Sequence, residues 1–142
     1  MDYRASAEMP YSCRQLFDLV ADIERYPEFL PNWRKARVLR SEANRLHVIQ
    51  QLGVGPLPYQ FQSTALLECY SSIHIRAEGG PLKKLLIDWR FAPGDGDQTR
   101  IELAIELRLS GGRLTRPLEA MMSESSRHLM PYFERRAGVV YR

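Results

Sequence analysis

Apolar residues recur at every second position from Trp33 to Leu109, and after Gly111-Gly112 the period changes to three or four and holds to Ala137. A period of two puts alternate side chains on opposite faces of a strand, so the first stretch reads as a succession of half-buried strands. A period near 3.6 draws one apolar stripe along a helix. Strands in hairpin succession form an antiparallel sheet with one face to bury, and a long amphipathic helix can cover that face. A curved sheet gripping one helix encloses a cavity, so the pattern describes a container.

Strands are predicted at 33–41, 45–52, 58–69, 72–78, 84–91 and 99–109, with turn residues between them. The last two are clearest: Leu85, Ile87, Trp89 and Phe91 share one face, and Ile101, Leu103, Ile105, Leu107 and Leu109 another. Pro93-Gly94-Asp95-Gly96-Asp97 between them has the composition of a hairpin turn. Leu46 to Leu67 contains no Asp, Glu, Lys or Arg. Its four glutamines, Gln50, Gln51, Gln60 and Gln62, and the prolines Pro56 and Pro58 suit a hairpin and not a membrane span.

Ahead of the sheet, Tyr3, Ala5, Ala7 and Met9 alternate as in a strand. Ser12 and Gln15 then form a capping-box pattern for a short helix ending near Asp22, with Leu16, Phe17, Leu19 and Val20 inside and Tyr11 stapled on Leu16. Pro27 and Pro31 limit the next segment to a short helical turn. The terminal helix carries the stripe Leu114, Leu118, Met121, Ser125, Leu129, Phe133 and Ala137. Pro117 is tolerable near its first turn, whereas Pro131 removes a hydrogen bond to the Arg127 carbonyl and predicts a kink.

Composition narrows the function classes. The 142 residues suit one domain, and 44% hydrophobic with 26% charged residues excludes a disordered chain. Twenty basic against seventeen acidic residues give a net charge of +3, too weak a bias to imply DNA. Cys13 and Cys69 have no framework spacing, and the start of the chain has no apolar core of signal-peptide length, so the expected compartment is the cytoplasm.

No catalytic motif stands out. Gly53-Val54-Gly55-Pro56 begins like a phosphate loop, but the prolines prevent the helix that such a loop must open. His47, His74 and His128 lie on two strands and a helix without metal-ligand spacing. Glu102 and Glu106 occupy the polar register of a strand, and Cys13 near a helix start has no placed histidine partner. Two features carry more. Tyr26, Phe29, Trp33, Tyr59, Phe61, Trp89 and Phe91, with Met121, Met122 and Met130, supply aromatic and flexible thioether surface for a core or an apolar pocket. Arg34, Lys35, Arg37, Arg40 and Arg45 form a basic run interrupted by one acid, Glu42. A solvated strand face accounts for it, as does a surface for ribosomal RNA or anionic membrane.

The segment Pro10-Tyr11-Ser12 through Asp22-Ile23-Glu24-Arg25-Tyr26-Pro27-Glu28-Phe29-Leu30-Pro31 resembles the opening of the coenzyme Q-binding START-like family. Gly80-Pro81-Leu82-Lys83-Lys84-Leu85 with Trp89-Arg90-Phe91, and the tail from Met130 through Phe133-Glu134-Arg135-Arg136-Ala137 to Tyr141, match in the same order. This family belongs to the polyketide cyclase/dehydrase superfamily and includes the ribosome-association toxin branch, RatA. The resemblance implies an α+β helix-grip (SRPBCC) fold of about seven antiparallel strands around a long C-terminal helix, with two short helices after the first strand. It implies a hydrophobic small-molecule ligand, ubiquinone or another isoprenoid lipid, with no catalysis, no metal and no other cofactor. Tyr26, Pro27, Pro31, Pro81 and Lys83 are the motif positions.

On that arrangement Leu85, Ile87, Trp89, Leu103, Ile105 and Leu107 wall one side of a tunnel, joined by Tyr59 and Phe61. Leu118, Met121, Met122, Leu129 and Phe133 close the other side, and Phe29, Leu30 and Trp33 stand at the mouth. A carrier or chaperone is the first expectation. A ribosome-directed protein that blocks subunit joining is the second. A cyclase-type enzyme is the third, and it would need inward polar groups beyond Tyr59 and Gln50.

Overall fold

The structure, a computed structural model, describes residues 1–113 and 115–142. Leu114, the first position of the predicted stripe, lies outside the described residues. The strands are β1 (Asp2–Met9), β2 (Trp33–Glu42), β3 (Arg45–Val54), β4 (Leu57–Glu68), β5 (Ser72–Gly79), β6 (Leu82–Pro93) and β7 (Thr99–Leu109). Helix α1 spans Cys13–Ala21, a 3-10 helix spans Ile23–Glu28, and α2 spans Arg116–Val140. The strands form one antiparallel sheet in the order β1-β7-β6-β5-β4-β3-β2. Its curved inner face holds α2.

Alternation sets the faces. In β7, Ile101, Leu103, Ile105 and Leu107 are buried while Arg100, Glu102 and Arg108 are exposed. β1 returns to pair with β7, Asp2 opposite Glu106 and Met9 opposite Thr99, which leaves β1 and β2 as the edges. The β3–β4 hairpin turns at Gly55-Pro56, where Gly55 has a positive φ of 56° that a side chain would disfavour. The charge-poor stretch 46–67 is thus a hairpin, as its glutamines and prolines indicate.

Helix α1 starts on the predicted capping box. Gln15 N donates to Ser12 Oγ at 3.1 Å and Ser12 N to Gln15 Oε1 at 2.9 Å. Two of the orphan amides of a helix start are satisfied in this way. Tyr11 stacks at 6.1 Å on Tyr141 beyond the end of α2.

One expectation about α2 needs correction. Its buried residues are Leu118, Met121, Met122, Ser126, Leu129, Met130, Phe133 and Ala137. Ser126 is fully buried where the stripe named Ser125, which is half-buried. The stripe is two residues wide because the concave sheet encloses more of the helix than a flat one would. The helix runs on through Pro131 to Val140. No helix among the described residues is long and apolar enough to cross a membrane.

Candidate functional site

Between the sheet and α2 lies a cavity of about 50 Å³. Cross-strand pairing builds its floor. Ile75, Ile87 and Ile105 are directly opposed across β5, β6 and β7, Leu85 faces Leu107, and Gln50 faces Phe61. Trp89 lies one inward position further along β6. Met122, Ser125, Ser126, Leu129 and Phe133 of α2 form the roof, and Met1, Tyr26, Leu30 and Trp33 complete the wall. Phe133 is the keystone of the roof, 1% exposed, with edge-to-face contacts to Trp89 at 5.1 Å, Phe29 at 5.2 Å and Tyr26 at 5.5 Å.

The polar side chains of the wall are bonded within the protein. Trp33 Nε1 donates to Gln50 Oε1 at 2.9 Å, and Gln50 Nε2 donates to Ser63 Oγ at 3.1 Å. Ser126 Oγ donates to the Met122 carbonyl at 2.7 Å, and Ser125 Oγ to Met121 Sδ at 3.5 Å. Tyr26 OH donates to the Val20 carbonyl at 2.5 Å. Burial pushes that phenol well above its ordinary value, and the Asp22 carboxylate adds to the shift. The wall contains no Asp, Glu, Lys, Arg or His among the described residues.

Of the residues expected at the tunnel, Leu30, Trp33, Phe61, Leu85, Ile87, Trp89, Ile105, Leu107, Met122, Leu129 and Phe133 line this cavity. Leu103, Leu118 and Met121 are buried in the core but do not line it, because periodicity fixes a face and not a position along the element. Phe29 sits behind the wall against Tyr26 and Phe133. Tyr59 is half-buried and off the cavity. Leu30, expected at the mouth, is 3% exposed and part of the enclosed wall. Ile75, Met1, Ser125 and Ser126 were not singled out as lining. Ile75 follows from the register of β5 against β6, which the sequence does not display.

The remaining candidates lie elsewhere. His74 Nδ1 is 2.6 Å from Asp88 Oδ1 on the outer sheet face, and His128 is 3.0 Å from Glu124 on α2. His47 lies beside Arg40. No cluster among the described residues could hold a metal ion, and Cys13 and Cys69 are free thiols.

The basic run forms part of a larger surface. Across the outer face, Lys35 is opposed to Gln51 and Gln60, and Arg37 to Ile49 and Gln62. Arg40 is opposed to His47, Thr64 and Arg76. A bulge between Trp33 and Lys35 lets Arg34 lie on the same face, its guanidinium over Gly53 and bonded to the Gly55 carbonyl. Arg40 is paired with Glu42. Lys35, Arg37, Arg45 and Arg76 have no carboxylate partner among the described residues. Because β2 is an edge strand, the same charges also discourage edge-to-edge pairing. Of the motif positions, Tyr26 lines the cavity and Pro27 lies inside the 3-10 helix. Pro31 precedes β2, Pro81 lies in the β5–β6 turn, and Lys83 is the second residue of β6.

Residues 9–131 match the family model described as polyketide cyclase / dehydrase and lipid transport. The chain is 31% identical over 138 residues to the ribosome association toxin RatA of Vibrio cholerae, covering 96% of this chain and 94% of that protein. It is 21% identical over 145 residues to the mitochondrial coenzyme Q-binding protein COQ10 homolog B of Xenopus laevis, covering 99% of this chain and 59% of that protein. The Zhui aromatase/cyclase of a Streptomyces species superposes with a TM-score of 0.85 at 14% identity, covering 100% of this chain and 96% of that one. At that identity the likeness is one of fold.

Proposed function

The chain belongs to the polyketide cyclase/dehydrase and lipid transport family, and from that premise we propose that it holds an elongated, largely apolar molecule between its sheet and α2. We assign the ligand to the prenyl lipids, ubiquinone or a related isoprenoid, and the role to a cytoplasmic carrier or chaperone without catalysis. The composition of the cavity wall carries this reading. Among the described residues it is apolar except for bonded hydroxyl, indole and amide groups and the Met1 α-ammonium, which donates to the Leu107 carbonyl. General acid–base chemistry needs a group that exchanges its proton near the working pH, and the one phenol of the wall is shifted away from that range. Each CH₂ buried in such a wall contributes about 0.8 kcal/mol, so a prenyl chain needs few polar contacts.

The cavity is in a closed form. An engineered apolar cavity of about 150 Å³ takes one benzene, three times the volume found between sheet and α2. A prenyl ligand therefore enters by moving the roof. Among the described residues, α2 is tied to other elements by hydrogen bonds at its C-terminal end, Arg136 to Glu28 and Tyr141 OH to the Gln15 carbonyl, each at 2.8 Å. Its N-terminal half rests on apolar contacts and follows Gly111-Gly112, both at positive φ. That half is the part that lifts.

Mass spectrometry of organic extracts from natively purified protein tests the assignment. Co-purification of a quinone or other isoprenoid at near-equal molar amount is expected. Protein that carries no lipid and takes up no added prenyl quinone would overturn it.

A second reading, ribosome association, is favoured by one observation: Lys35, Arg37 and Arg76, without a carboxylate partner among the described residues, stand beside Gln51, Gln60 and Gln62 on the outer face. The 31%-identical relative is named for such association. Co-sedimentation with ribosomal subunits that collapses steeply with salt would support it.

A further inference from the structure

We propose that the cavity selects neutral molecules carrying a hydrogen-bond acceptor oxygen on an apolar body, a ketone, quinone or ester carbonyl, and that Gln50 is the residue that reads that oxygen. This rests on the reading of the cavity as a ligand container and adds the chemistry at one point of its wall.

Gln50 is 6% exposed, in the middle of β3. An indole nitrogen donates and cannot accept. Trp33 Nε1, 2.9 Å away, therefore fixes the near end of the amide as oxygen. The far end is then the NH₂, 3.1 Å from Ser63 Oγ. An amide nitrogen carries two hydrogens, and Ser63 accepts one of them. No other acceptor among the described residues takes the second.

The other side-chain donors of the wall are committed. Tyr26 gives its proton to Val20, Trp33 to Gln50, and Ser125 and Ser126 give theirs to Met121 and Met122 within α2. One amide hydrogen is thus the spare side-chain donor in an apolar enclosure, where leaving it unpaired is costly. A ligand carbonyl satisfies it. A hydrocarbon does not. A carboxylate is disfavoured for a different reason: among the described residues no Lys, Arg or His side chain lines the wall, the α-ammonium of Met1 is already bonded to the Leu107 carbonyl at 2.8 Å, and burying a charge without a counter-charge is far costlier than burying a ketone. Trp33 is a positioning residue in this scheme, since its N–H holds the amide in the orientation that presents the donor.

The test uses a long-chain methyl ketone, the alkane of equal length and the matching carboxylic acid, with binding read from the fluorescence of Trp33 and Trp89, which both line the cavity. The ketone should bind roughly 5- to 10-fold more tightly than the alkane, the range set by one neutral hydrogen bond. In Gln50→Leu that ratio should fall to about one, and in Trp33→Phe it should fall while alkane affinity holds. The ratio within one variant is independent of how much of that variant is folded. In the wild type, ketone should also shift the Gln50 side-chain amide resonances in ¹⁵N spectra, and alkane should leave them in place. Equal ketone and alkane affinity, or acid binding as tight as ketone, would overturn the assignment to Gln50 and leave the container reading standing. Failure of the wild type to bind any of the three would overturn the container reading itself.

Discussion

Arg136 on α2 donates to Glu28 Oε1 at 2.8 Å, and the same guanidinium lies 5.2 Å over the ring of Phe29. One side chain therefore fastens the C-terminal end of the roof to the 3-10 helix that supplies Tyr26 to the cavity wall.

Hydrogen bonds from Arg25 and then Arg136 hold the Glu28 carboxyl below the ordinary carboxylate range. A carboxyl with a depressed folded-state value contributes stability that is complete above its unfolded value and disappears as pH falls through the folded one. Melting temperatures of wild type and Glu28→Gln should therefore differ at neutral pH and converge below the ordinary carboxylate range. The difference should be small, because the pair is partly exposed. A separation that stays constant down to acid pH would show that Glu28 acts through packing alone.

Phe133 is held by three aromatic neighbours and is 1% exposed. Replacing it with Ala should cost about 3–5 kcal/mol in denaturant unfolding, the range for deleting a large aromatic from a core. A loss below about 1 kcal/mol would mean that the roof collapses to fill the space and that the keystone role is wrong.

Triple replacement of Lys35, Arg37 and Arg76 by Ala should leave unfolding free energy within about 0.5 kcal/mol per site, as for exposed side chains. If the outer face touches ribosomal RNA, the slope of log affinity against log salt should fall by about three, one per lost cation. An unchanged slope would place any ribosome contact elsewhere on the molecule.

What the sequence shows and what it hides follow from the same periodicities. Alternation in 99–109 locates β7 to the residue, and Ser12 with Gln15 locates the start of α1. β2, β3, β5 and β6 run one or two residues further than the pattern, where Pro93 and Gly79, for example, still pair with neighbouring strands, and β4 is offset by one residue at each end. Register between strands is the hidden quantity. Leu103 and Ile105 look alike in the sequence, yet only Ile105 stands in the row with Ile87 and Ile75 under the cavity. Arg76 is likewise far in sequence from the run 34–45, and joins it through the row Arg40, His47, Thr64. The inward position of Gln50 was legible from its alternation with Val48 and Leu52. Its bonds to Trp33 and Ser63 were not, since each depends on a neighbouring strand.

Pro131 leaves α2 continuous but removes one amide donor from it, beside roof residues Leu129 and Phe133. Pro131→Ala restores a donor for the Arg127 carbonyl and should stiffen the helix. Uptake and release of a fluorescent prenyl ligand in stopped flow should both slow, with the equilibrium affinity changed much less. Unchanged rates would leave Pro131 a packing feature without a part in opening.

The central claim is that an apolar ligand occupies the space between sheet and α2. Titration of labelled protein with a short-tailed prenyl quinone, followed by methyl and side-chain NMR, tests it most directly. The account predicts saturable shifts at Met122, Leu129, Ile75, Ile87 and the Gln50 amide, with Leu39 and Leu66, outside the cavity, unmoved. Saturable shifts confined to the outer face, or none at all, would contradict it.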